Sequence, residues 1–230
     1  MDAAALPVLM MACKFEAVIF DMDGVLLDSS RIHHEAFLEV LRPFGLEDFD
    51  YAMQAGRKTI DVLRELNENH NWALGEEKLG QLAAEKSAAA LRKMRELNPV
   101  FPGSVELVRL VSLHVPIALA SSGSRTSVQS FLELNHIENC FTSILSSDDV
   151  TVSKPDPEIY RKSCEALQVA PENCVVIEDA VAGVRAARLA GASVYAISST
   201  TDPESLTSAG AEICINALKQ LPEALGLLKS

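Results

Sequence analysis

The chain has few positive charges for its size: 20 lysines and arginines stand against 32 aspartates and glutamates, a formal net charge of −12 over 230 residues. That balance argues against a nucleic-acid surface and against binding to anionic membranes. It would also repel an anionic substrate at long range, so a site for one needs positive charge supplied locally. No apolar run reaches membrane-spanning length. The mildly apolar start, MDAAALPVLMMACK, has Asp2 where a secretion signal carries positive charge and is interrupted by Pro7. It reads as a loose tail, residues 1–14. There is no CxxC pair, and the five cysteines (Cys13, Cys140, Cys164, Cys174, Cys214) are odd in number. A reducing, cytoplasmic setting fits that usage, with the thiols serving as small buried hydrophobes. Internal repeats and low-complexity segments are also missing.

What is present is a globular composition, 48% hydrophobic and 23% charged, enough for a full core. Apolar runs recur as candidate strands: AVIF (17–20), PIALA (116–120), SILS (143–146), CVVIE (174–178), SVYAI (193–197) and EICI (212–215). Helical patterns follow most of them. One opens on a serine in SRTSVQSFLEL, one on Pro157 in PEIYRKSCEALQV, and AVAGVRAARLAG stops at Gly191. Strand–helix alternation predicts an α/β fold, a doubly wound parallel sheet covered on both faces. Residues 29–98 break the rhythm. They hold no good strand, but Ile32, Ala36, Phe37, Val40 and Leu41, then Leu79, Leu82, Ala83, Ala90, Leu91, Met94 and Leu97, fall at helical spacing. This predicts a helical insertion over 29–98 in a core made of 15–28 and 99–230, with Asn98-Pro99 and Pro102-Gly103 marking the return.

In a parallel sheet, functional groups gather beyond the carboxyl ends of the strands. AVIF is followed by Asp21 and Asp23, PIALA by Ser121 and Ser122, SILS a few residues later by Lys154, and CVVI by Glu178 and Asp179. Four carboxylates on one sheet edge suit a hard cation with oxygen ligands, Mg²⁺ where phosphate is also bound. The hydroxyl and the ammonium suit a phosphoryl group.

The set resembles the haloacid dehalogenase superfamily, in its phosphatase and beta-phosphoglucomutase-like branch: DxDGxxxDS from Asp21 to Ser29, a strand-ending hydroxyl at Ser121, KPDP at Lys154, and IEDAxxG from Ile177 to Gly183. The resemblance implies a Rossmann-like core with a helical cap that closes over the site. It implies that Asp21 is the nucleophile and forms an aspartyl-phosphate, that Asp23 is the general acid and base, and that Lys154 stabilises the phosphoryl charge. It further implies Mg²⁺ held by Asp21, the Asp23 carbonyl and Asp179, with Glu178 as helper. Dehalogenation needs no second aspartate, so Asp23 favours phosphoryl transfer. His33 matches a histidine tied to cap closure and proton control. AGRKTIDVL (55–63) resembles the cap's specificity loop, where Arg57 and Lys58 meet an anionic substrate. Where the mutases carry a phosphate-holding arginine, three residues past the loop glycine, this chain has Thr59.

The expected function is therefore a Mg²⁺-dependent phosphomonoesterase for a small phosphorylated metabolite, a sugar or polyol phosphate, with no nucleic-acid or membrane partner. The sequence does not fix an oligomeric state, and a monomer is compatible with it. Two other readings share the scaffold: a sugar phosphomutase, and a catalytically idle binding module. The intact set of Asp21, Asp23, Lys154 and Asp179 argues against the second.

Overall fold

The computed structural model describes residues 13–54 and 57–228. Residues 1–12 of the tail, and Ala55 and Gly56 at the start of the 55–63 stretch, lie outside them.

Six strands form one parallel sheet: β1 (Ala17–Phe20), β2 (Ile117–Ala120), β3 (Ser143–Leu145), β4 (Cys174–Glu178), β5 (Ser193–Ile197) and β6 (Ile213–Ile215), in the order β3-β2-β1-β4-β5-β6. The apolar runs are unbroken because β1, β2 and β4 are covered on both faces, and every residue of the three is buried. Period-two alternation divides β1. Val18 and Phe20 join one core cluster with Ile117, Leu119, Val175 and Ile177, while Ala17 and Ile19 join the other with Ala118, Val176 and Val194. Three expected strands lose their first or last residue. Pro116 has no N–H for the ladder, Glu212 falls outside β6, and Ser146 instead caps the next turn, accepting from Asp148 N at 3.3 Å.

Among the described residues, four α-helices lie between β1 and β2: α1 (Ser30–Leu41), α2 (Thr59–Asn69), α3 (Glu76–Leu97) and α4 (Ser104–Ser112). Five more follow: α5 (Arg125–Asn135), α6 (Glu158–Leu167), α7 (Val181–Ala190), α8 (Pro203–Ala209) and α9 (Leu221–Ala224). Ser124 caps α5 by accepting from Ser127 N, Pro157 precedes α6, and α7 ends on left-handed Gly191.

The fold is a doubly wound α/β core with an inserted helical cap. Phe37, Leu41, Phe49, Val62, Leu63, Leu79 and Leu82 make the cap's own cluster, whereas Ile32, Ala36, Ala90 and Met94 pack into the main core. The outgoing and returning chains bind each other: Asp28 N donates to Pro99 O at 2.7 Å and Phe101 N to Leu26 O at 3.1 Å. α3 ends at Leu97, and Asn98 takes the left-handed conformation that turns the chain back. Of the cysteines, Cys164 and Cys174 are buried as expected, and the other three are half-buried; none forms a disulfide.

Candidate active site

The strand order reverses around β1 and β4, so the crevice at their carboxyl ends is the natural place for a ligand. Register sets the acids side by side. Phe20 pairs with Ile177, and Asp21 N donates to Ile177 O at 3.0 Å, bringing Asp21 next to Glu178. One carboxylate oxygen from each of Asp21, Glu178 and Asp179 lies within 4.8 Å of the others, and all three residues are buried. Lys154 reaches in from the loop before α6. Its Nζ donates to Asp21 Oδ1 at 2.7 Å, to Glu178 Oε1 at 2.8 Å and to Ala120 O at 3.2 Å.

The three acids are not equivalent. Glu178 Oε1 also accepts from the Tyr160 hydroxyl at 2.6 Å, and Oε2 accepts from the backbone N–H groups of Asp179 (3.0 Å) and Ala180 (3.2 Å) at the start of α7. Both oxygens are engaged, so Glu178 fits the positioning of Lys154 better than direct metal binding. Asp179 accepts from the Thr200 hydroxyl. Two glycines make room for these acids. A Cβ on Gly24 would lie 1.9 Å from Asp179 Oδ2, and Gly24 also has φ +81°; a Cβ on Gly183 would lie 1.7 Å from Glu178 Oε1.

Burial pushes the Asp21 carboxyl up to about 8; Lys154 opposes this, while Glu178 and Asp23 add to it. Asp179 is raised well above the ordinary range by burial, then by Glu178 and Asp21. For Lys154 burial favours the neutral amine, but Asp21 and Glu178 overcome it and hold the ammonium firmly. With all three carboxylates ionised, as ligands to a cation would be, the single ammonium leaves two negative charges uncompensated. A divalent hard cation matches both that residue and the all-oxygen donor set.

Asp23 stands slightly apart, half-buried and facing the cap. Its Oδ1 is 3.0 Å from His33 Nε2, and His33 Nδ1 is 2.8 Å from Lys86 Nζ. An ammonium only donates, so Nδ1 is the acceptor and Nε2–H donates to Asp23. Burial and Lys86 lower the His33 pKa, and burial lowers that of Lys86 to about 8. Asp23 is pushed up by burial but pulled below its ordinary value by His33.

A cavity of about 370 Å³ opens between core and cap, lined by Asp21, Asp23, His33, Arg57, Lys58, Thr59, Lys86 and Ser122 among others. It suits a small metabolite. Its cations are already engaged. Arg57 Nη1 donates to Glu65 Oε2 and Gln54 Oε1, each at 2.6 Å, and Lys58 Nζ donates to Val150 O at 3.2 Å on the core side. Ser121 is fully buried, with Oγ accepting from Gly123 N at 2.9 Å, and it is Ser122 that faces the cavity.

The structure thus brings Asp21, Asp23, Lys154, Glu178, Asp179, Ser121, Ser122 and His33 to one edge of the sheet, with Arg57 and Lys58 across the cavity. Sequence reasoning missed Lys86, Tyr160 and Thr200. Lys86 had a signal: it interrupts the apolar stripe of α3 between Leu82 and Ala90, where a buried position calls for an apolar residue. Thr200 had none.

Residues 15–191 match the family of haloacid dehalogenase-like hydrolases. The chain belongs to that family. Among relatives of this hydrolase, a phosphorylated carbohydrates phosphatase of Thermotoga maritima is 33% identical over 221 residues, 93% of this chain and 98% of that protein. Validoxylamine A 7'-phosphate phosphatase of Streptomyces hygroscopicus is 30% identical over 198 residues, 85% of this chain and 91% of that protein. The crystal structure of beta-phosphoglucomutase from Clostridium difficile superposes with a TM-score of 0.79 at 28% identity, covering 90% of this chain and 93% of that one. Among the described residues, no helix is long and apolar enough to cross a membrane.

Proposed function

We propose that this phosphoric monoester hydrolase acts on monophosphates of small sugars or polyols, through an aspartyl-phosphate on Asp21, in the cytoplasm. The observation that carries the reading is the pairing of two differently placed aspartates. Asp21 lies in the acid cluster under Lys154, and Asp23 lies under His33 on the leaving-group side. Asp21 attacks phosphorus in line with the ester bond. Lys154 stabilises charge on the phosphoryl oxygens, with Ser121 and Ser122 bordering them. Asp23, once protonated, gives its proton to the departing alkoxide, and the carboxylate that results takes one from the water that attacks the phospho-aspartate. His33, held by Lys86, donates to Asp23 and keeps its carboxyl oriented. A Mg²⁺ ion held by Asp21, Asp179 and the Asp23 carbonyl would supply Lewis-acid neutralisation of the phosphoryl group. Residues 29–98 act as the cap and 15–28 with 99–230 as the catalytic core; a monomer contains the whole site.

The mutase reading needs a cation free to hold a distal phosphate. Among the described residues, Arg57, Lys58 and Lys86 on the cavity wall are each bound to a protein acceptor, and Thr59 is neutral. This favours hydrolysis. The names of the phosphatase relatives point the same way. A phosphate-release screen over sugar, polyol, nucleotide and amino-acid phosphates tests the substrate class. Sugar and polyol monophosphates are expected to lead, and a leading nucleotide would contradict the proposal.

The metal assignment carries its own prediction. Asp179→Ala removes a hard oxygen ligand and is expected to raise the Mg²⁺ concentration for half-maximal activity about tenfold or more. Glu178→Gln is expected to lower turnover while moving that midpoint less, because its oxygens hold Lys154 and the start of α7. Metal titration of both variants separates the roles. An unmoved midpoint in Asp179→Ala would take that residue out of the metal site.

A further inference from the structure

Tyr51 lies in the stretch between α1 and α2, and no motif points to it. Its ring centroid is 5.3 Å from that of His33, tilted by 31°, and 6.2 Å from that of Phe37. Phe37 in turn packs on Phe49 at 4.6 Å within the cap cluster. Tyr51 therefore sits at the edge of the cap's aromatic core, beside the His33–Asp23 pair, and it lines the cavity. Burial, then Asp23, Asp179 and Asp21, hold its ionisation well above the ordinary phenol value. The hydroxyl thus stays neutral and able to donate.

In-line displacement sends the leaving oxygen away from Asp21, toward the cavity and the cap. On the reading above, that ester oxygen is served by Asp23. Tyr51 borders the cavity on that same side, next to His33. We propose that Tyr51 is a specificity residue: its hydroxyl hydrogen-bonds a substrate hydroxyl on the carbon next to the phosphate ester, selecting polyol and sugar phosphates over esters of plain alcohols. A site built around such a bond discriminates against the analogue lacking it, because the protein group is then left unpaired. The inference rests on the phosphatase reading for the direction of the leaving group.

The test measures binding without turnover. The full chain carrying Asp21→Asn, with Mg²⁺, is titrated calorimetrically with propane-1,2-diol 1-phosphate and with n-propyl phosphate, which differs from it only in lacking the neighbouring hydroxyl. The same is done with Asp21→Asn/Tyr51→Phe, which keeps the ring against His33 and Phe37. Propane-1,2-diol 1-phosphate is expected to bind about five- to tenfold tighter than n-propyl phosphate. Tyr51→Phe is expected to erase that preference while leaving n-propyl phosphate unchanged. No preference in the Asp21→Asn protein, a preference that survives Tyr51→Phe, or equal weakening of both ligands would each overturn the proposal. Failure of the hydrolytic reading shows separately, as absence of phosphate release from either ester by the unmodified chain.

Discussion

Asp21→Asn is expected to reduce phosphate release to background while the protein stays folded. An amide is a far poorer nucleophile than a carboxylate, and Asp21 is the acid that ends β1 within the cluster under Lys154. The exchange is nearly isosteric and removes one of the mutually repelling buried charges. Burial, and after it the charges of Glu178 and Asp23, push the Asp21 carboxyl up to about 8 against the pull of Lys154. The melting temperature is therefore expected to hold or rise, and a steady-state assay with a thermal melt reads both quantities. Sustained turnover by a clean Asp21→Asn preparation would remove Asp21 from the nucleophile's place.

Lys154→Ala is the second large effect. The side chain is 1% exposed and joins Asp21, Glu178 and the Ala120 carbonyl. Losing a fixed cation beside the phosphoryl group is expected to cost on the order of 10²-fold or more in kcat. Stability should fall as well. Removing one partner of a buried ion pair leaves the other charge uncompensated, at about 3–5 kcal/mol. Added Mg²⁺ should restore part of the lost melting temperature, since it supplies positive charge to the same acids. Rates compared well below the melting transition separate the two effects. A loss of only a few-fold would mean that another cation carries the phosphoryl charge.

Much of this architecture was legible in the sequence, for identifiable reasons. β1, β2 and β4 read as unbroken apolar runs because both faces of the sheet are covered. Each run ended where its polar residues began, at Asp21, Ser121 and Glu178. Parallel topology then brings those ends to one edge, so the site followed from strand order. What escaped reading depends on contacts between residues distant in the chain. Tyr160 looks like one more apolar position on α6, yet its hydroxyl is spent on Glu178. Thr200 lies in an unremarkable loop beyond β5, and only packing brings it to Asp179. Glu178 and Asp179 are adjacent in sequence, but one faces Lys154 and α7 while the other faces Gly24 and Thr200, a division that residue type does not announce. Arg57 and Lys58 read as cations for a substrate. Their engagement by Glu65 and by the Val150 carbonyl appears only once α2 is placed against the core.

Phosphatase and mutase share an aspartyl-phosphate and differ in what accepts the phosphoryl group next. The decisive measurement is a paired assay of the unmodified enzyme on beta-glucose 1-phosphate with catalytic glucose 1,6-bisphosphate, following free phosphate and glucose 6-phosphate in one reaction. On the reading proposed above, Arg57, Lys58 and Lys86 on the cavity wall are tied to Glu65, the Val150 carbonyl and His33 rather than held ready for a second phosphate, so water is expected to win. Free phosphate is predicted to appear without need of the bisphosphate and to outpace glucose 6-phosphate. Accumulation of glucose 6-phosphate well ahead of free phosphate would contradict the account.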